Sequence, residues 1–93
     1  MANNKSAKKR ILINKRNRLQ NRFYKTSVRT LTKLFFKSID IYKLEKTIEN
    51  REKSQQILNS VYSLIDKGTK RNVFHKNAAA RKKAKLSLIF KLI

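Results

Sequence analysis

No proline and a single glycine interrupt this chain of 93 residues, and that narrows its folds more than any other feature. Both residues break regular backbone, so a chain nearly free of them reads as a few long helices joined by short turns. One domain is the most that this length holds. Hydrophobic residues make up 40% of the chain, enough for a narrow core. Without Cys there are no disulfides, thiolate zinc sites or cysteine nucleophiles. One His leaves no His-based metal cluster, and one Gly leaves no glycine loop for phosphate. No enzyme activity, metal site or cofactor is expected.

The clearest periodic signal lies in the first half. Tyr24, Val28, Leu31, Phe35 and Ile39 recur at helical spacing and share one face. At about 100° per residue, Lys15, Arg18, Arg22, Lys25, Arg29, Lys33 and Lys37 form a ridge on roughly the opposite side. The expected first helix covers about 6–39. Upstream of about Gln20 the apolar row fades, interrupted by Asn14, Asn17, Gln20 and Asn21, with Lys8, Lys9, Arg10, Lys15, Arg16 and Arg18 around the axis. A helix that is polar nearly all round has nothing to bury. Residues 1 to about 18 are therefore expected to project, to fray in the free protein and to order when phosphates supply counter-charge.

A break is expected near Asp40–Tyr42, with Asp40 as a cap. A second helix then covers about 43–71, with Leu44, Ile48, Leu58, Tyr62 and Ile65 as its apolar row and Glu49–Lys53 as an ion pair. Gly68 and Asn72 compete as its left-handed cap, and Asn72 is favoured because Val73 and Phe74 look like a turn packing back onto the core. The third helix, about 76–91, carries Ala79, Leu86, Phe90 and Ile93 on one face. Lys76, Arg81, Lys83 and Lys85 gather on its remaining surface, and Lys82 lies nearer the apolar face. The fold class expected is all-α: a three-helix bundle with a long, basic, projecting N-terminal helix.

Charge points to a partner. The chain has 25 Lys or Arg against 5 Asp or Glu, a net charge of +20. All five acids (Asp40, Glu45, Glu49, Glu52 and Asp66) fall in the central stretch, and both terminal stretches are purely basic. Like charge this concentrated destabilises a compact state unless a polyanion neutralises it, so two cationic ends are read as facing nucleic acid and the middle as facing water. Helix-turn-helix spacing, a zipper seam and zinc fingers are absent, as are the strands or glycine loop of the compact RNA-reading modules. What remains is recognition of folded RNA by phosphate and shape, with Asn side chains able to meet 2′-hydroxyls or base edges. Two residues keep two readings each: Phe36 stacks on a base or packs on the bundle, and His75 contacts phosphate or caps the third helix.

Two motifs match a known family. Met1–Arg10, MANNKSAKKR, resembles the opening of the bacterial and plastid ribosomal protein S20 family, and His75–Ala84, HKNAAARKKA, resembles its third-helix signature. Arg29–Thr30 before an apolar run and Asp66–Lys67 before the turn also fit. The middle departs from the pattern in its aromatic and Ile content, and Gly68 stands where a better helix former is expected. The resemblance implies a three-helix protein that binds small-subunit (16S-type) ribosomal RNA directly and supports its folding and assembly. Carried over residue by residue, it marks Asn3, Lys5, Ser6, Lys8, Lys9 and Arg10, then His75, Lys76, Asn77, Arg81 and Lys82, as RNA-binding. Lys15, Arg18, Arg22 and Arg29 join them from the basic ridge, and Arg16 from the basic residues around the axis upstream.

Other small-subunit proteins are possible partners; no small-molecule substrate is expected. Lys, Ile and Asn together account for 35 residues, types favoured by A/T-rich codons. With neither a secretory segment nor a Ser-rich transit peptide at the start, this points to the plastid stroma, or alternatively to the cytoplasm of an A/T-rich bacterium. The competing function is a nucleoid-type DNA-compacting protein. Association with anionic membranes is a weaker rival, because three successive apolar rows favour mutual burial and no run nears the roughly 20 apolar residues of a span.

Overall fold

Ridges of apolar side chains spaced four and three apart bring three helices together. The computed structural model describes the backbone from Ala2 and the side chains from Lys5 onward. In chain order the helices are α1 (Ala2–Leu44), α2 (Ile48–Lys70) and α3 (Lys76–Lys91), and no strand occurs among the described residues. The architecture is the expected all-α bundle with a long, basic, projecting first helix. At 1.5 Å per residue α1 is about 65 Å long against about 35 Å for α2, so close to half of it has no helix to lie on. The molecule accordingly measures 66 Å along its longest axis and only 13 Å along its shortest.

The seam between α1 and α2 is the main one. Tyr24, Val28, Phe35 and Ile39 are buried on α1, with Leu31 partly so. From α2 come Ser54, Leu58, Val61, Ile65 and Gly68, and from α3 Ala79, Leu86 and Phe90. Phe35 is fully buried, 6.4 Å from Phe90 between ring centroids, and links α1 to α3. Ser54 is also fully buried, yet satisfied: its hydroxyl donates to Ser38 at 2.9 Å, and Ser38 donates to the Phe35 carbonyl at 2.6 Å. Two small hydroxyls facing each other let the helices approach closely without stranding a polar atom.

Several boundaries differ from the expected ones. α1 does not break at Asp40; it continues to Leu44, and Asp40 is an exposed mid-helix residue. Nothing near Asp40 interrupts the backbone ladder, whereas Thr47 does cap: its hydroxyl accepts the Asn50 N–H at 3.2 Å. The Asn50 amide in turn donates to the Glu45 carbonyl at 2.9 Å, so α2 starts at Ile48 instead of near Lys43. Leu44 and Ile48 were expected in the apolar row of α2 but are 87% and 79% exposed, because the connector falls there. Leu58 and Ile65 of the expected row are buried, and the row runs through positions 54, 58, 61, 65 and 68, which buries Val61 and leaves Tyr62 at the margin.

Arg51 lies one turn before this row, with its guanidinium 4.9 Å from the Phe90 ring centroid and 5.9 Å from that of Tyr42. Glu49 and Lys53 do not form the expected pair. The ion pair present among the described residues is Lys83–Asp66, at 2.8 Å across the α2–α3 seam, with Lys83 still partly exposed.

The α2–α3 turn is ordered by two residues. Asn72 adopts φ 63°, the left-handed conformation that ends a helix. Val73 N–H then donates to the Gly68 carbonyl at 2.8 Å and Asn72 N–H to the Thr69 carbonyl at 3.0 Å, a Schellman pattern. Gly68 itself stays helical and buried; the Phe74 ring lies where its Cβ would be, 2.5 Å from that position. The missing helix former at this point is therefore a seat for Phe74.

Candidate nucleic-acid interface

The side chains of residues 5–19 are all exposed. Lys5, Ser6, Lys8, Lys9, Arg10, Lys15, Arg16 and Arg18 thus stand on a helix with no protein against it, and Arg22 and Arg29 continue the series beside the bundle. Asn3 lies outside the residues whose side chains are described. Lys5 is about 28 Å from Tyr24, where the core begins, by the rise per residue. The overhang is thus a cationic arm, and the bundle is its anchor.

The buried row of α1 continues into its polar half. Arg10, Asn14, Asn17, Asn21, Tyr24 and Val28 recur at alternating steps of four and three, so the core line turns polar where α2 and α3 run out. Asn14, Asn17 and Asn21 share a shallow trough along α1 with Arg18, Arg22 and Lys25. Hydrogen-bonding amides thus sit side by side with cations. The signal was in the sequence as a heptad-like spacing.

The C-terminal candidates fall at two places. His75 is the N-cap of α3: its Nδ1 accepts the Asn77 N–H at 3.2 Å. The capping reading of His75 therefore holds, with Lys76 exposed beside it. Asn77 serves the cap through its backbone N–H, with its side chain exposed.

One turn on, Arg81 and Lys82 are exposed and share a hollow with Lys85 and, from α1, Thr32 and Phe36. The fold thus brings the α3 cations beside the ridge side of α1, joining two basic sets that are about fifty residues apart in sequence. It does not bring Lys5–Arg10 to them; those stay at the far end of the arm. The acids Asp40, Glu45, Glu49 and Glu52 cluster toward the other end, where α1 passes into α2.

Such a surface offers charge neutralisation and hydrogen bonding, and no catalytic chemistry. No group of three or more potential metal ligands occurs among the described residues. No described helix is long and apolar enough to cross a membrane.

The family model described as ribosomal protein S20 matches residues 2–91. The small ribosomal subunit protein bS20c of Phaeodactylum tricornutum is 72% identical over 92 residues, covering 99% of both chains. That of Trieres chinensis is 65% identical with the same coverage. The bacterial bS20 of Prochlorococcus marinus (strain MIT 9215) is 52% identical, covering 98% of this chain and 94% of its own. No solved structure gives a significant match. With the family model spanning nearly the whole length and relatives this similar end to end, the chain belongs to the ribosomal protein S20 family.

Proposed function

We propose that this protein binds small-subunit ribosomal RNA directly, through the cationic arm of α1 and the basic face of α3, and so supports folding and assembly of that RNA. The family makes it a structural protein of the small ribosomal subunit and not an enzyme. The observation that carries direct binding is the arm: residues 5–19 are exposed throughout and contain seven Lys or Arg and no acid. A helix of that kind is stable only where something anionic surrounds it. The bundle holds one end while RNA encloses the other, and the acids near the α1–α2 connector stay away from the RNA.

The RNA residues proposed are Lys5, Ser6, Lys8, Lys9, Arg10, Lys15, Arg16, Arg18, Arg22 and Arg29, with Asn3 from the family motif. His75, Lys76, Asn77, Arg81 and Lys82 complete the set. Phosphate contacts supply most of the affinity by counterion release, and helix insertion brings RNA segments together that would otherwise repel. The relatives at 72% and 65% identity carry the plastid-type name, which favours the ribosomes of the plastid stroma as the seat of this function.

Competition at about 150 mM salt between small-subunit ribosomal RNA and duplex DNA tests the reading. Clear preference for the RNA is expected. Equal affinity for both would mark a DNA-compacting protein instead.

A further inference from the structure

Phe36 is 41% exposed, although its neighbour Phe35 is completely buried and lies 5.9 Å away between ring centroids. The exposed ring sits in the hollow between α1 and α3, lined by Thr32, Arg81, Lys82, Lys85 and Leu86. The three cations there have no carboxylate within ion-pairing distance among the described residues; the pair that forms belongs to Lys83 and Asp66. An apolar protein group entering this hollow would strip water from three cations and neutralise none of them. A nucleotide supplies both things the hollow lacks: a flat π-face for the ring and a phosphate for the cations.

On the reading that this face binds RNA, we infer that the Phe36 hollow is a stacking site for one unpaired RNA base, whose flanking phosphates are held by Arg81, Lys82 and Lys85. A paired base has no free face, so the ligand is a nucleotide splayed from a loop, bulge or helix end. Arg29 and Lys33 precede Phe36 on the same side of α1 by the helical count, and they lead the RNA backbone toward the hollow. The arm then supplies charge, and this hollow supplies position: it sets which point of the RNA meets the bundle.

The test uses the full chain, a small-subunit ribosomal RNA transcript and two variants. Phe36→Leu keeps apolar volume and removes the ring; Phe36→Tyr keeps the ring. Phe36→Leu is expected to weaken binding by about 5- to 150-fold, the range for one stacked base. Its melting temperature and the salt slope of binding should not change, because no phosphate contact is lost. Nucleotide-resolution protection mapping should show one unpaired nucleotide becoming reactive, and Phe36→Tyr should restore both affinity and protection.

Wild-type affinity and protection in Phe36→Leu would overturn the inference while leaving the proposed function intact. Equal loss in both variants would also overturn it, since that is the behaviour of a packing residue. Failure of the unmodified protein to bind the transcript would overturn the function, and the stacking site with it.

Discussion

Gly68 shows how a single missing side chain organises the end of the bundle. Helix propensity alone says that Gly68→Ala should stabilise by about 1 kcal/mol. The structure reverses that sign, because an added Cβ would lie 2.5 and 2.6 Å from two ring atoms of Phe74. The Phe74 backbone is held close by, two residues after the left-handed Asn72 and with its N–H donating to the Gly68 carbonyl at 3.4 Å. Gly68→Ala is expected to lower the melting temperature, with a net cost of about 1–2 kcal/mol, within the range of overpacking penalties. In a Phe74→Ala background the same substitution should raise stability by about 1 kcal/mol, the propensity term alone. A thermal double-mutant cycle reads both signs. Asn72→Ala should cost about 1–2 kcal/mol through the left-handed backbone, and Asn72→Gly much less.

At the scale of the element, α1 is two helices in one. From Tyr24 onward it owes its stability to burial against α2; before that it has only its own hydrogen bonds and a row of mutually repelling cations. Isolated helices of this length are marginal in water. Amide hydrogens of residues 5–19 are therefore expected to exchange far faster than those of 24–39 in the free protein, and to become protected on RNA binding. Hydrogen exchange with and without the RNA reads this directly; equal protection of the two halves in the free protein would contradict it. For α2 the controlling feature is its start. Thr47→Ala removes the hydroxyl that accepts the Asn50 N–H and should cost about 1 kcal/mol of stability, measured by denaturant melts.

For the whole molecule the governing quantity is a net charge of +20 on a thin rod. One exposed ion pair, with side chains 36% and 61% accessible, does little to offset the self-repulsion. The melting temperature of the free protein should therefore rise as salt is added, while RNA affinity falls. If about eight phosphates are neutralised, log affinity should fall against log salt with a slope near −6 to −7. Replacing Lys8, Lys15, Arg22 and Arg29 together with Gln should make that slope shallower by about 3 and leave the helical content of residues 48–91 unchanged. The matched change of Glu45, Glu49 and Glu52 to Gln should leave binding nearly intact. A comparable loss from the acidic set would reverse the orientation proposed for the molecule on RNA.

Helix count, the buried face of α1 and the split between cationic ends and a near-neutral waist were all readable from residue order. Each depends on local chemistry: breakers that are absent, apolar residues at helical steps, and charges that repel wherever they sit. The motifs at residues 1–10 and 75–84 carried the family for the same reason, being contiguous. Where α1 stops and where the inward row of α2 begins were not readable, because those outcomes depend on the partner across the seam. Leu44 and Ile48 suit a buried row by type yet fall at the connector, and Ser54 is buried only because Ser38 faces it with a hydroxyl. Gly68 looks like a flaw until Phe74 is folded over it, and what surrounds Phe36 is open until Arg81, Lys82 and Lys85 are placed beside it. Periodicity decides which faces a helix has. Only packing decides what each face meets, since the energy of a contact belongs to two residues and the sequence lists them one at a time.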